Sequence, residues 1–141
     1  MKKFLVLTFL ILLIIIQKGE SHIHDIAGDI VSAKCDCGFE TTMKLGAGKA
    51  NFQTTCNFPF HCKDCYSLSV LNTLSDKQSC KKCFSEELIS YDNDSLRAGK
   101  SSNPVFGWNI NDKSFKLTDD LYICPQCREF KLKFTSIGNF D

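Results

Sequence analysis

From Phe4 to Ile16 every position is apolar except Thr8, and nothing later in the 141-residue chain repeats that uniformity. As a helix the run spans about 20 Å at 1.5 Å per residue. That falls short of the roughly 30 Å hydrocarbon core of a bilayer. Met1-Lys2-Lys3 precedes the run, and Gly19 and Ser21 place small residues at the −3 and −1 positions of a cut before His22. This is the pattern of a signal peptide. An uncleaved anchor, with Gln17 and Lys18 stretching the span, is the alternative. Residues 1–21 are therefore expected to be a signal peptide or membrane anchor, with membrane contact through residues 4–16. By the positive-inside rule the rest is exported, or anchored on the outer face of the cytoplasmic membrane.

Beyond residue 21 no long helical period appears. Apolar residues come instead in short alternating runs separated by turn residues. Residues 22–32 read as a linker. Phe39 to Leu45 leans towards β, and Gly46-Ala47-Gly48 marks a turn. Ser67–Leu74 and Leu88–Tyr91 predict short strands, and Leu121–Ile123 leads into Cys124-Pro125-Gln126-Cys127. Val105–Ile110 and Ser114–Leu117 predict a hairpin around Asn111-Asp112. Phe130 to Phe134 shows the cleanest alternation in the chain. The pattern predicts a small, mainly β domain over residues 33–141.

Nine cysteines change the picture. Eight form four close pairs: Cys35/Cys37, Cys62/Cys65, Cys80/Cys83 and Cys124/Cys127. A tight turn between two cysteines presents both sulfurs to one ion, and two such turns complete a tetrahedral thiolate site. Four pairs thus point to two zinc ions per chain. Disulfides would be the default in an exported chain. However, a bridge within each pair closes a tiny loop and stabilises little, whereas a metal explains the close pairing directly. Cys56, the ninth, reads as a buried apolar thiol, and His61 as a loop histidine rather than a ligand.

Tyr122-Ile123-Cys124-Pro125-Gln126-Cys127 followed by Phe130–Phe134 resembles the second knuckle of a zinc ribbon, the rubredoxin-like class, and Cys80-Lys81-Lys82-Cys83 before Leu88–Tyr91 resembles the first. Cys35-Asp36-Cys37-Gly38 with His61-Cys62-Lys63-Asp64-Cys65 resembles a second, shorter ribbon. Two departures stand out. Cys35/Cys37 has a one-residue gap, and Arg128 and Phe84 occupy positions where a knuckle often has glycine. The resemblance implies a tandem zinc-ribbon-like domain with structural metal and no particular activity. Sequential pairing is then expected, with Cys35, Cys37, Cys62 and Cys65 on one ion and Cys80, Cys83, Cys124 and Cys127 on the other. An interleaved cross-brace, in which the first and third pairs share a metal, is the alternative.

Charge narrows the function. The chain holds 17 Lys and Arg against 16 Asp and Glu; without Lys2, Lys3, Lys18 and Glu20 the remainder holds 14 against 15. Nucleic-acid binding draws its affinity from a basic surplus, so it is disfavoured. There is no Gly-rich phosphate loop, and the three histidines do not suggest a catalytic triad. Phe39, Phe52, Phe58, Phe60, Tyr66, Phe106, Trp108 and Phe130 read as core fillers. Asp92, Asp94, Asp119 and Asp120 read as solvated or capping carboxylates. The expected function is a non-enzymatic zinc-binding platform for an unidentified protein partner. The alternative is an exported thiol–disulfide oxidoreductase, or a disulfide-stapled protein, using the CxxC pairs. A cut before His22 would also leave His22-Ile23-His24 as an amine-and-imidazole site suited to square-planar Cu(II) or Ni(II).

Overall fold

A computed structural model describes residues 27–141. The targeting segment and His22-Ile23-His24 lie outside them. Among the described residues no helix is long and apolar enough to cross a membrane.

Ten strands follow in order: β1 Gly28–Lys34, β2 Glu40–Leu45, β3 Asn57–Cys62, β4 Leu68–Asn72, β5 Leu88–Ser90, β6 Arg97–Ala98, β7 Pro104–Ile110, β8 Lys113–Thr118, β9 Leu121–Ile123 and β10 Phe130–Phe140. They form a five-stranded sheet, β2-β1-β10-β9-β6, a three-stranded sheet, β4-β3-β5, and the β7-β8 hairpin. The small, mainly β fold is as expected. The β7-β8 hairpin turns through Asn111 and Asp112, at φ 48° and 61°. Both are left-handed, as a two-residue hairpin matching strand twist requires.

One expectation needs correction at β1. Residues 28–32, read as linker, form most of this strand, which lies between β2 and β10 in the large sheet. Val31, Ser32 and Ala33 are all buried, so the strand carries no polar alternation to betray it. Strand β1 runs antiparallel to β10 from Gly28↔Phe140 to Lys34↔Lys133, with one register shift at Ile30/Val31. That long-range pairing organises everything that follows.

The core lies where the sheets meet. Val31, Leu45, Phe58, Tyr91, Leu117, Tyr122, Leu132 and Phe134 are essentially buried. Tyr91 sits at its centre, with its ring edge-on to Phe134 at 5.5 Å and 79°. Its hydroxyl donates to the Ile123 carbonyl at 3.1 Å, tying the chain just after β5 to β9 of the large sheet. Of the expected core aromatics Phe58, Phe60 and Phe106 are buried, whereas Tyr66 and Phe130 are exposed. Packing at the sheet junction instead selects Tyr91, Tyr122 and Phe134.

Candidate metal centres

Each cysteine pair sits at a turn where a strand begins or ends. Cys35 and Cys37 occupy the β1–β2 turn, and Cys124 and Cys127 the β9–β10 turn. Because β1 pairs with β10, these two hairpins lie side by side and their turns converge. Cys62 and Cys65 lie in the β3–β4 turn, while Cys80 and Cys83 precede β5, which pairs with β3. The second set converges for the same reason.

The result is two groups of four sulfurs: Cys35, Cys37, Cys124 and Cys127, then Cys62, Cys65, Cys80 and Cys83. All eight expected cysteines are used. The expected sequential partition is not observed, and neither is the cross-brace. The groups are nested: the outer pairs close on each other around the inner ones. The tandem-ribbon reading presumed that each site closes a local excursion, but β1–β10 pairing places the first turn beside the last.

Within the groups, Sγ separations are 3.7 Å for Cys35–Cys127, 3.6 Å for Cys37–Cys124, and 3.5 Å for both Cys62–Cys83 and Cys65–Cys80. A tetrahedron with metal–sulfur bonds of about 2.3 Å has edges of about 3.8 Å. A disulfide is about 2.05 Å. All nine cysteines are unbridged. The donor set, its spacing and its soft chemistry fit a four-coordinate metal ion in each group.

The four turns share one backbone design. The carbonyls of Cys62, Cys80 and Cys124 accept from the N–H groups of Tyr66, Phe84 and Arg128, each at 2.9 Å. The N–H groups of the same cysteines donate to Ser67, Ser85 and Glu129 at 2.8–3.0 Å. The Cys35 turn repeats the pattern one residue shorter, with Gly38 N–H donating to Cys35 and Cys35 N–H to Phe39. The residue after the second cysteine is left-handed in every case: Gly38 at φ 97°, Tyr66 at 58°, Phe84 at 61° and Arg128 at 62°. The one-residue gap and the missing glycines therefore alter neither the hydrogen-bond frame nor the hand of the turn. Two of these side chains meet: the Arg128 guanidinium lies 3.8 Å from the Tyr66 ring centroid. This cation–π contact joins a turn of one group to a turn of the other.

The groups differ in their surroundings. The Ser67 hydroxyl lies 3.0 Å from Cys65 Sγ and 3.1 Å from Cys80 Sγ, with Ser69 at 3.9 Å from Cys80. Burial disfavours the Cys80 thiolate, but Ser67 and the backbone N–H groups of Cys83 and Lys82 outweigh it and hold the thiol down to about 5. In the other group burial pushes Cys35 up to about 12, while the Phe39 backbone N–H brings Cys37 down to about 7. In the second group the Ser67 hydroxyl lowers Cys65 as well, while Cys83 is raised; in the first, burial raises Cys124. Thiolates crowded into one site repel one another and titrate as a set. A divalent cation relieves that repulsion.

Sequence reasoning missed Ser67 and Ser69, whose signal was two serines two and four residues after the second cysteine of a pair. His61 is buried in β3 rather than in a loop, edge-on to Tyr91, and belongs to neither group. Cys56 is fully buried outside both groups. Among the carboxylates, Asp120 accepts from the Ser101 N–H at 3.0 Å and lies 3.4 Å from the Arg97 guanidinium. Comparison with family models, with curated proteins and with solved structures yields no match to this chain.

Proposed function

We propose that each four-cysteine group holds one zinc ion, and that the two ions are structural. In this reading the protein is a zinc-ribbon-like platform for a protein partner and is not an enzyme. Four sulfurs at tetrahedral-edge spacing, twice over, carry the reading. Closed all-thiolate sites leave no coordination position for substrate. When bound, zinc cross-links four thiolates without redox chemistry of its own. The protein supplies the rest: the turns aim the sulfurs, backbone N–H groups and Ser67 neutralise part of their charge, and burial excludes water from Cys62, Cys80 and Cys124.

The apolar run at residues 4–16 supports export or anchoring of this platform. Metal-bound thiolates are poor nucleophiles, which would preserve them in an oxidising compartment. Elemental analysis of the purified protein, with alkylation under denaturing, non-reducing conditions, tests the proposal. Two zinc ions per chain and free thiols at the eight clustered cysteines are expected. No bound metal together with disulfides would refute it.

A further inference from the structure

Away from the cysteines the described residues line an open cleft of about 980 Å³. Asp29 on β1 and Asn139 on β10, paired in register, form one wall. Phe52 and Gln53 form another, and Trp108 and Asn109 of β7 a third. Six residues of strand separate Asp29 from Cys35, about 20 Å at 3.3 Å per residue. The cleft is therefore separate from the metal centres.

Its chemistry is specific. Among the described residues no Lys or Arg lines it, and the one carboxylate on its walls, Asp29, is raised in pKa by burial. Phosphates or carboxylates find no cationic partner among these residues. Its remaining polar side chains are carboxamides, from Gln53, Asn109, Asn139 and, at the hairpin turn, Asn111, set in a more apolar lining. A carboxamide offers both donors and an acceptor, the same dual capacity as a hydroxyl. Aromatic surface from Trp108 and Phe52 adds an apolar platform beside them. The Trp108 ring is held in place: it stacks parallel to Phe106 at 6.5 Å and 9°, and a Cβ at Gly46 would come within 2.6 Å of it.

Gly107 adds to the same wall. It lies inside β7 and lines the cleft. It has no positive φ, and an added Cβ would meet nothing within 4 Å. Neither backbone conformation nor internal packing asks for glycine, which weakens a strand by about 0.5–1 kcal/mol. A strand glycine marks a bulge or a close approach to the backbone. Strand β7 shifts register between Pro104 and Phe106, and Gly107 leaves this wall of the cleft open.

We propose that this cleft binds a neutral saccharide, with a sugar ring against Trp108 and its hydroxyls bonded to the carboxamides and Asp29. A ligand with apolar C–H faces and hydroxyl edges matches both halves of the lining. An organic cation would use Asp29 and the rings but leave the amides unmatched.

Trp108 is the only tryptophan in the chain, so its emission reports on the cleft directly. The zinc-loaded full-length protein is titrated with cellotetraose, maltotetraose and chitotetraose, and separately with tetramethylammonium and inorganic phosphate. A saturable change with at least one saccharide is expected, with a Kd of about 0.1–10 mM, as befits a site open to solvent. Asn109→Ala/Asn139→Ala should weaken it at least tenfold at unchanged zinc content. Gly107→Val, which suits an exposed strand, should abolish it without unfolding the protein. No response to any saccharide, a response to tetramethylammonium or phosphate alone, or undiminished binding by both variants would each overturn the proposal.

Discussion

Replacement of the left-handed residues at the cysteine turns by glycine separates backbone strain from side-chain contact. A non-glycine residue in the left-handed region costs about 1–2 kcal/mol. Glycine forfeits about 0.5–1 kcal/mol of that gain through the freedom it adds to the unfolded chain. The Phe84 ring is 79% exposed and loses little burial when removed. Phe84→Gly should therefore stabilise the protein by about 0.5–1 kcal/mol. Arg128→Gly relieves the same strain but loses the contact with Tyr66, worth about 0.5–1 kcal/mol at an exposed site, and should land near zero. Tyr66→Gly gives up that contact and also the ring's approach to His61, 6.0 Å between centroids; it should be the most destabilised of the three. Denaturant unfolding at saturating zinc gives the three values, with thermal midpoints as a check at about 4 °C per kcal/mol. Clear destabilisation by Phe84→Gly, or equal shifts at all three positions, would refute the argument.

Tyr91→Phe removes the hydroxyl that donates to Ile123 and leaves the ring in place; a loss of about 1–2 kcal/mol is expected by denaturant unfolding, and no change would mean the bond contributes nothing. Refolding with limiting Co(II) should load Cys62, Cys65, Cys80 and Cys83 first. The separation between Cys65 and Cys80 is 15 residues, against 87 between Cys37 and Cys124. Closing the longer loop costs about 1.5 kcal/mol more, roughly tenfold in preference. Thiolate–cobalt absorption in Cys80→Ser and Cys124→Ser variants reads the order, and equal or reversed loading would contradict it. Acid should release the metal. Cys80 sits at about 5 when folded and at about 8.5 in an unfolded chain. Its stabilising contribution is thus complete above the unfolded value and lost as pH falls through the folded one. Bound metal displaces that loss to lower pH still. Circular dichroism and a colorimetric chelator should show metal loss and unfolding together; retention of both at about pH 3 would count against thiolate coordination.

Much of this fold was legible in the sequence because its signals are local. The β7-β8 hairpin announced itself through Asn111-Asp112 between two apolar runs, and the four cysteine pairs announced themselves by spacing. Partner choice was not legible, because it depends on contacts between residues about a hundred positions apart. Strand β1 is buried through Val31, Ser32 and Ala33, so it lacks the alternation by which strands are found. The end of β10 is hidden in the same way by Thr135, Ser136 and Asn139, polar residues that still pair with β1. Without that pairing, local closure was the natural expectation and nesting was invisible. The left-handed Phe84 and Arg128 show the converse: residue preference argued against the turn, and the hydrogen-bond frame around Cys80 and Cys124 overrode it.

The nested pairing of the cysteines is the central claim, and cadmium-113 NMR of the cadmium-substituted protein tests it directly. Correlations from each metal to cysteine β-protons identify its ligands individually. One resonance should couple to Cys35, Cys37, Cys124 and Cys127, and a second to Cys62, Cys65, Cys80 and Cys83. A resonance that couples to both Cys35 and Cys62, or to both Cys35 and Cys80, would contradict the account.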